Sequence, residues 1–361
     1  MAVSTIDPNG LNIGQIGGTR NKIINGAMVI DQRNAGAAVT GNGDFPVDRF
    51  VAFNSTDGAF SAQQDTSAPA GFINSIKYTA TTADGTLTTT QNTGITHIVE
   101  GLNIADLGFG TADAKTVTLS FWTRSSLTGT FGGALKNNAA DRSYPFTYSI
   151  SSADTWEYKT VTVAGDTSGT WLTTTGRGLT IVFALGAGPD RSGTAGAWAG
   201  ANYNSATGAV SLIGTLNATW YITGVQLEAG DTATPFEHRP FAQELRLSQR
   251  YFSKSYVYST AIGATTTKGM VQTDFVENNQ GSGYREKYDF QFPVEMRADP
   301  SITTYDSAGT SGKVNYYIGA ASTANYTITI ANLNARCFGG YSDRVTSIGG
   351  WACHYTADAE L

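Results

Sequence analysis

The chain has 361 residues, a formal charge of −6, 40% apolar residues and only 14% charged ones. The apolar share supports real cores and excludes a disordered chain, and the charge share lies well below the ~25% of ordinary soluble domains. With no basic run there is no footprint for phosphate neutralisation, so no nucleic-acid partner is expected, and no run reaches the ~20 apolar residues of a membrane span.

Thr, Ser, Asn and 42 glycines supply the missing polarity, as many short strands joined by tight turns require. The length suits two domains. The opening "MAVSTIDPNGLNIGQIGG" has neither a positive n-region nor an apolar h-region, so no secretory signal is expected. Residues 1–20 read as an arm to be anchored by a partner.

In "NKIINGAMVIDQRN" the pair Asn25-Gly26 lies among Ile24, Ala27, Met28 and Ile30 and signals a hairpin. "FPVDRFVAF" offers Val47, Phe50 and Phe53 to a core. "TVTLSFWT" alternates Val117, Leu119 and Phe121 against Thr118, Ser120 and Trp122, and "YKTVTVAG" points Val161 and Val163 inward. The apolar run "LTIVFALG" suits a strand covered on both faces. In "TWYITGVQLEAG" a bulge at Gly224 would keep Ile222, Val225 and Leu227 on one face. Strands separated by turns, with no helical period between them, predict an all-β jelly-roll sandwich over residues 21–230.

Residues 231–252 predict a helical connector. Thr234, Pro235 and Glu237 have the spacing of a capping box. Pro240 ends that turn and opens a second helix, in which Phe241, Leu245 and Phe252 share a stripe while Gln243, Glu244 and Arg246 face water. From 253 to 361 the strand pattern resumes. Tyr288, Phe290 and Phe292 alternate, as do Tyr326, Ile328 and Ile330, and Trp351, Cys353 and Tyr355 face one way. A second, smaller β-sandwich is expected.

The segments "NKIINGAMVIDQRN", "VDRF", "WYITGVQLEAGDTATPFEHRPFAQELRLSQRYF", "FPVEMRADPSITTYD" and "YTADAEL" together resemble a family of tailed-phage structural proteins, described as tail fibre, collar or appendage proteins. The resemblance runs from about residue 21 to the end, and 220–252 is its most specific part. It implies a jelly roll similar to carbohydrate-binding modules, a short helical connector and a C-terminal β domain. It also implies a place in the virion, contact with host-surface glycans and a homotrimer, and the N-terminal arm is expected to attach to other virion proteins.

Candidate chemistry is sparse. Glycan hydrolysis needs two carboxylates flanking a sugar, and Asp113, Asp141, Asp154, Glu157 and Asp190 stand isolated, as solvated turn residues do. GxSxG, CxxC and HExxH are absent. His97, His238 and His354 are scattered, so no catalytic site, metal or cofactor is read. Cys337 and Cys353 are expected as free, buried thiols. For sugar binding, aromatic platforms are the expected feature, with Trp122, Trp156 and the loop residue Trp198 as candidates and Tyr144 and Tyr148 behind them. The leading expectation is a non-enzymatic tail fibre or appendage. A capsid decoration or head-fibre protein is the first rival and a glycan-degrading tailspike the second.

Overall fold

A computed structural model of the chain describes residues 20–272, 288–318, 321–341 and 350–361. The expected arm therefore lies, Arg20 apart, outside the described residues. Strand accounts for 41% and helix for 7%, so the chain is all-β.

The first body holds twelve strands: β1 (Phe50–Asn54), β2 (Ala59–Asp65), β3 (Ser75–Thr82), β4 (Asn92–Glu100), β5 (Val117–Ser125), β6 (Gly129–Lys136), β7 (Ser143–Ile150), β8 (Glu157–Val163), β9 (Arg177–Ala187), β10 (Ser192–Gly193), β11 (Ser205–Ala206) and β12 (Thr219–Ala229). Two five-stranded sheets, ordered β1-β4-β9-β6-β7 and β2-β3-β12-β5-β8, face each other as a jelly roll. Their pairings are antiparallel, and the short β10 and β11 form a separate parallel pair.

Period-two alternation fills the space between the sheets. Phe50 and Ala52 of β1, Leu179, Ile181, Phe183 and Leu185 of β9, and Phe121, Trp220 and Ile222 of the opposite sheet share one buried cluster. The Gly224 bulge is present. The register of β12 on β5 shifts between Thr223 and Gln226, Gly224 has φ +62°, and Ile222, Val225 and Leu227 are all fully buried.

Two local expectations are corrected. Asn25 does make a turn, at φ 62°, but no strand flanks it. Its side chain holds the turn instead, with Nδ2 donating to the Ile30 and Asp48 carbonyls and Oδ1 accepting from the Ile30 N–H. A short polar side chain here replaces a strand ladder as the partner of the backbone. Phe53 is not a core residue. It sits at the odd position after Phe50 and so faces outward from β1.

Residues 234–240 form no helix. Thr234 donates N–H and Oγ1–H to the buried Glu228 carboxylate, at 2.9 and 2.6 Å, and Glu237 accepts the Asn21 N–H at 2.7 Å. Both residues of the expected capping box are spent on tertiary partners, and Pro235 gives its carbonyl to Arg20. The helix α1 (Phe241–Gln249) starts after Pro240, whose backbone is extended at ψ 142°. Its buried residues are Glu244 and Ser248, not the expected apolar stripe. Phe241 is 49% exposed with its ring edge-on to Tyr258, and Leu245 is half-buried. Burial of Glu244 is compensated by the Asn25 N–H and the Arg239 guanidinium.

The second body contains β13 (Phe252–Lys254), β14 (Val271–Gln272), β15 (Tyr288–Gln291), β16 (Ser301–Tyr305), β17 (Val314–Ile318), β18 (Ala321–Tyr326), β19 (Thr329–Ala331), β20 (Cys337–Tyr341) and β21 (Gly350–Asp358). β21 is its hub, pairing β13 and β16 along one half and β14 and β17 along the other. A second sheet, β15-β20-β19, packs Phe338 against Phe292, Met296 and Tyr355. Cys337 and Cys353 are buried and unpaired.

The two bodies meet through buried charge. Arg250, just after α1, clamps Glu100 at the end of β4, and Tyr251 Oη donates to the same carboxylate at 2.6 Å. Arg33 pairs with Asp48, Asp358 and Glu360 while its guanidinium lies 3.8 Å over the Phe252 ring. Arg49 pairs with Glu360 and covers the Tyr251 ring at 3.5 Å. Arg297 donates to the carbonyls of Thr175, Ala359 and Glu360. The segments that are distinctive in sequence thus converge on this joint from five separate places in the chain.

Candidate functional site

Residues alternating with the core face outward from the first sheet, and there they line a groove. Val51 and Phe53 of β1, Thr96 and Ile98 of β4, Thr180 and Val182 of β9 and Lys136 of β6 form its lining with Phe45, Arg177, Asn204 and Glu360. Its volume is about 420 Å³, within the range of small-molecule sites. Thr96, Ile98, Thr180 and Val182 are buried against the sheet, whereas Phe53 and Lys136 are half-exposed.

Lys136 dominates the polar end. Its ammonium donates to the Oδ1 atoms of Asn202, at 3.1 Å, and Asn204. Asn204 in turn donates Nδ2–H to Asn92 Oδ1 at 2.8 Å, which fixes the orientation of its amide. Among the described residues Lys136 has no carboxylate partner. Burial, assisted by the nearby Arg191 and Arg177 charges, lowers its amine from 10.5 to about 8. Glu360 is the lining's one acidic side chain, and Arg33 and Arg49 already hold it. Such a site offers an apolar floor, two threonine side chains and an ammonium, and its lining has no pair of acidic side chains.

The aromatic candidates separate into two groups. Trp122 lies on the outer face of the second sheet, half-buried, with Tyr158 5.4 Å away in the neighbouring strand. Phe72, Phe236 and His238 cluster near it, and Trp156 sits edge-on to Tyr221 on the same sheet. Trp122 and Trp156 are thus accessible, on the face opposite the groove. Trp198 joins Tyr144, Phe109 and Trp171 in a plug, with its Nε1–H donated to the Ala164 carbonyl at 2.7 Å. Tyr148 is buried in the core among Phe121, Phe131 and Phe146. The rings of Tyr144 and Tyr148 are turned inward because their strand, β7, alternates, so neither offers a platform face.

The groove was missed in the sequence because its residues come from distant strands. Alternation around Phe50 could have turned Phe53 outward. Nothing in the sequence brings Lys136 to Asn204, 68 residues on. Among the acids, Asp113, Asp141, Asp154 and Asp190 are exposed, and Glu157 is half-buried beside Lys159 at 2.6 Å. His354 receives Ser255 at 3.2 Å, but it is fully buried under the Tyr256 ring and its other nitrogen meets the Thr266 carbonyl. No reactant reaches that pair. Among the described residues no group of three His, Cys, Asp or Glu could hold a metal ion.

No protein-family model matches the chain, and no curated protein matches it. Solved structures do. A structure reported as "CBM4 structure and function" is 17% identical over 58% of this chain and 99% of its own, with a TM-score of 0.29. The family 11 carbohydrate-binding module of a Clostridium thermocellum cellulosomal cellulase is 14% identical over 56% of this chain and 98% of its own, at 0.27. The enzymatically active domain of a tailspike protein of bacteriophage CBA120 is 11% identical over 58% of this chain but 22% of its own, at 0.31. Scores of this size leave the fold to the strand order itself, which is that of an all-β jelly roll joined to a second β body.

Proposed function

We propose that this chain is a non-enzymatic structural protein of a phage virion, a tail fibre or appendage, whose jelly roll binds saccharides of the host surface in the groove of its first sheet. The observation that carries this reading is the groove itself. A sugar presents an apolar C–H face and a rim of hydroxyls, and the groove offers Phe53, Val51, Ile98 and Val182 to the one and Thr96, Thr180, Asn204 and Lys136 to the other. Its one acidic side chain is paired with arginines, which leaves no pair of carboxylic side chains for acid–base hydrolysis there. The joint built on Arg250 and Glu100 would hold the groove at a fixed angle to the second body, as an attachment device needs. The motif resemblance supports the virion setting and a homotrimer, and the polar, glycine-rich residues 1–20 would be the arm directed at the particle.

Titration calorimetry with oligosaccharides cut from host-surface polysaccharides tests binding, and the same mixtures assayed for new reducing ends test for turnover. Phe53→Ala should abolish binding and Trp122→Ala should not. The opposite result would move the site to the second sheet. Light scattering on the full chain checks the trimer, and the protein's location in a density map of the particle separates a tail appendage from a capsid decoration.

A further inference from the structure

We infer that the groove takes an acidic saccharide, one whose ring carries a carboxylate. This narrows the groove reading above and depends on it. The protein is acidic as a whole, yet Lys136 and Arg177 line the groove, and the charges of Arg191 and Arg177 both act on Lys136. Lys136 has three N–H donors, and the two acceptors found for it are neutral amide oxygens. Among the described residues this partly desolvated ammonium meets no counter-charge, which is costly, and one of its donors remains for a ligand. A carboxylate arriving from the groove would supply both the missing charge and the third acceptor. Charge-assisted bonds of this kind are about twice as strong as neutral ones.

The other charges around Lys136 favour a single carboxylate over a phosphate. Arg177, on the adjacent β9, donates to the Leu361 carbonyl, and Arg191, in the loop after β9, leans on the Thr90 carbonyl. Both raise the local potential, and each has a backbone carbonyl of its own, so Lys136 is the cation whose donor is left for the ligand, a point charge suited to a single carboxylate. Glu360, across the groove, is paired with both Arg33 and Arg49, which offset its repulsion of an anion. Asn202 and Asn204, which accept from the ammonium, and Asn92 behind them carry no charge. Burial has already brought the Lys136 amine down to about 8, so its charge is lost just above neutrality.

The experiment is calorimetry on the full chain at pH 7 with three sets of probes: oligouronates, neutral oligosaccharides of matched length, and glycerol-phosphate oligomers. At least one oligouronate should bind about tenfold tighter than its neutral counterpart, the worth of one charge-assisted contact. Lys136→Met should erase that preference, bringing the uronate down to the affinity of its neutral counterpart, and Lys136→Gln provides a second variant should the first fail to fold. Affinity for the uronate should fall as pH rises through about 8 in the wild type and not in the variants. Equal or tighter binding of the neutral sugar, lost in Phe53→Ala, would overturn the acidic preference and leave the groove reading standing. Preference for the glycerol phosphate would overturn it likewise. Binding of none of the probes would overturn both.

Discussion

Arg250 and Glu100 face each other fork to fork across the joint, with Nε to Oε2 at 2.9 Å and Nη2 to Oε1 at 2.6 Å. One ends the helical connector and the other ends a strand of the jelly roll, 150 residues earlier. Glu100 is almost wholly buried, whereas the Arg250 side chain is 28% exposed. The carboxylate therefore depends on the arginine more than the reverse.

Removing Arg250 should expose that dependence. Arg250→Ala leaves a buried carboxylate with Tyr251 as its remaining side-chain partner, and should cost about 2 kcal/mol, below the usual range for a buried pair because the arginine is partly solvated. The double variant Glu100→Ala/Arg250→Ala should lose less than the sum of the single losses. Urea unfolding checks both statements, and additive losses would mean that the pair is not coupled.

The connector should loosen at Glu244 more than at Leu245. Glu244→Ala strips the Asn25 N–H and Arg239 of a buried acceptor, whereas Leu245 is only half-buried. Limited proteolysis should show new cuts between about 235 and 255 in Glu244→Ala, and a weaker response in Leu245→Asp. Cleavage greater in the leucine variant would restore the apolar stripe as the docking face.

Gly224→Ala should destabilise the jelly roll by about 1–2 kcal/mol, because a side chain at positive φ is strained. Its Cβ would also lie 2.7 Å from the Phe72 ring and 3.2 Å from Trp122. Thermal unfolding reads the loss, and tryptophan fluorescence should shift with it. An unchanged midpoint would mean that the bulge can flatten at no cost.

Stability should respond to pH through two buried groups of opposite sign. Burial holds the His97 imidazole well below its ordinary 6.5, so its contribution is fully present above 6.5 and is lost as pH falls below that value. Burial raises Asp48 from 3.8 to about 6 against the pull of Arg33, so its contribution is present below 3.8 and is lost as pH rises through 6. In denaturation curves from pH 4 to 8, His97→Gln should flatten the fall on the acid side, and Asp48→Asn should flatten the fall between about pH 4 and 6 on raising the pH. Curves parallel to wild type would remove both groups from the linkage.

Cys337 and Cys353 should both alkylate under denaturing, non-reducing conditions. Cys353 should resist reagent in the native state, since it is fully buried and burial pushes its thiol pKa up. Intact mass before and after alkylation gives the count, and failure of either thiol to react when unfolded would reveal a disulfide.

Sequence by itself determined what is local and periodic. Alternation placed Val117, Leu119 and Phe121 inside and Trp122 outside. One glycine out of step set the bulge at residue 224, and Pro240 set the start of the helix. These follow from the two-residue period of a strand and the fixed φ of proline, which need no partner to be read. Tertiary structure alone decided where polar side chains go. The capping box at Thr234 and Glu237 was overruled because Glu228 and the Asn21 N–H, buried elsewhere, needed those groups more than a helical turn did. Likewise Glu244 turned inward to meet Asn25 and Arg239, and Lys136 found Asn202 and Asn204 across a sheet order that no spacing encodes. A buried charge takes the partner that the whole fold brings to it, and so both the joint and the groove became visible only when strands far apart in the chain were laid side by side.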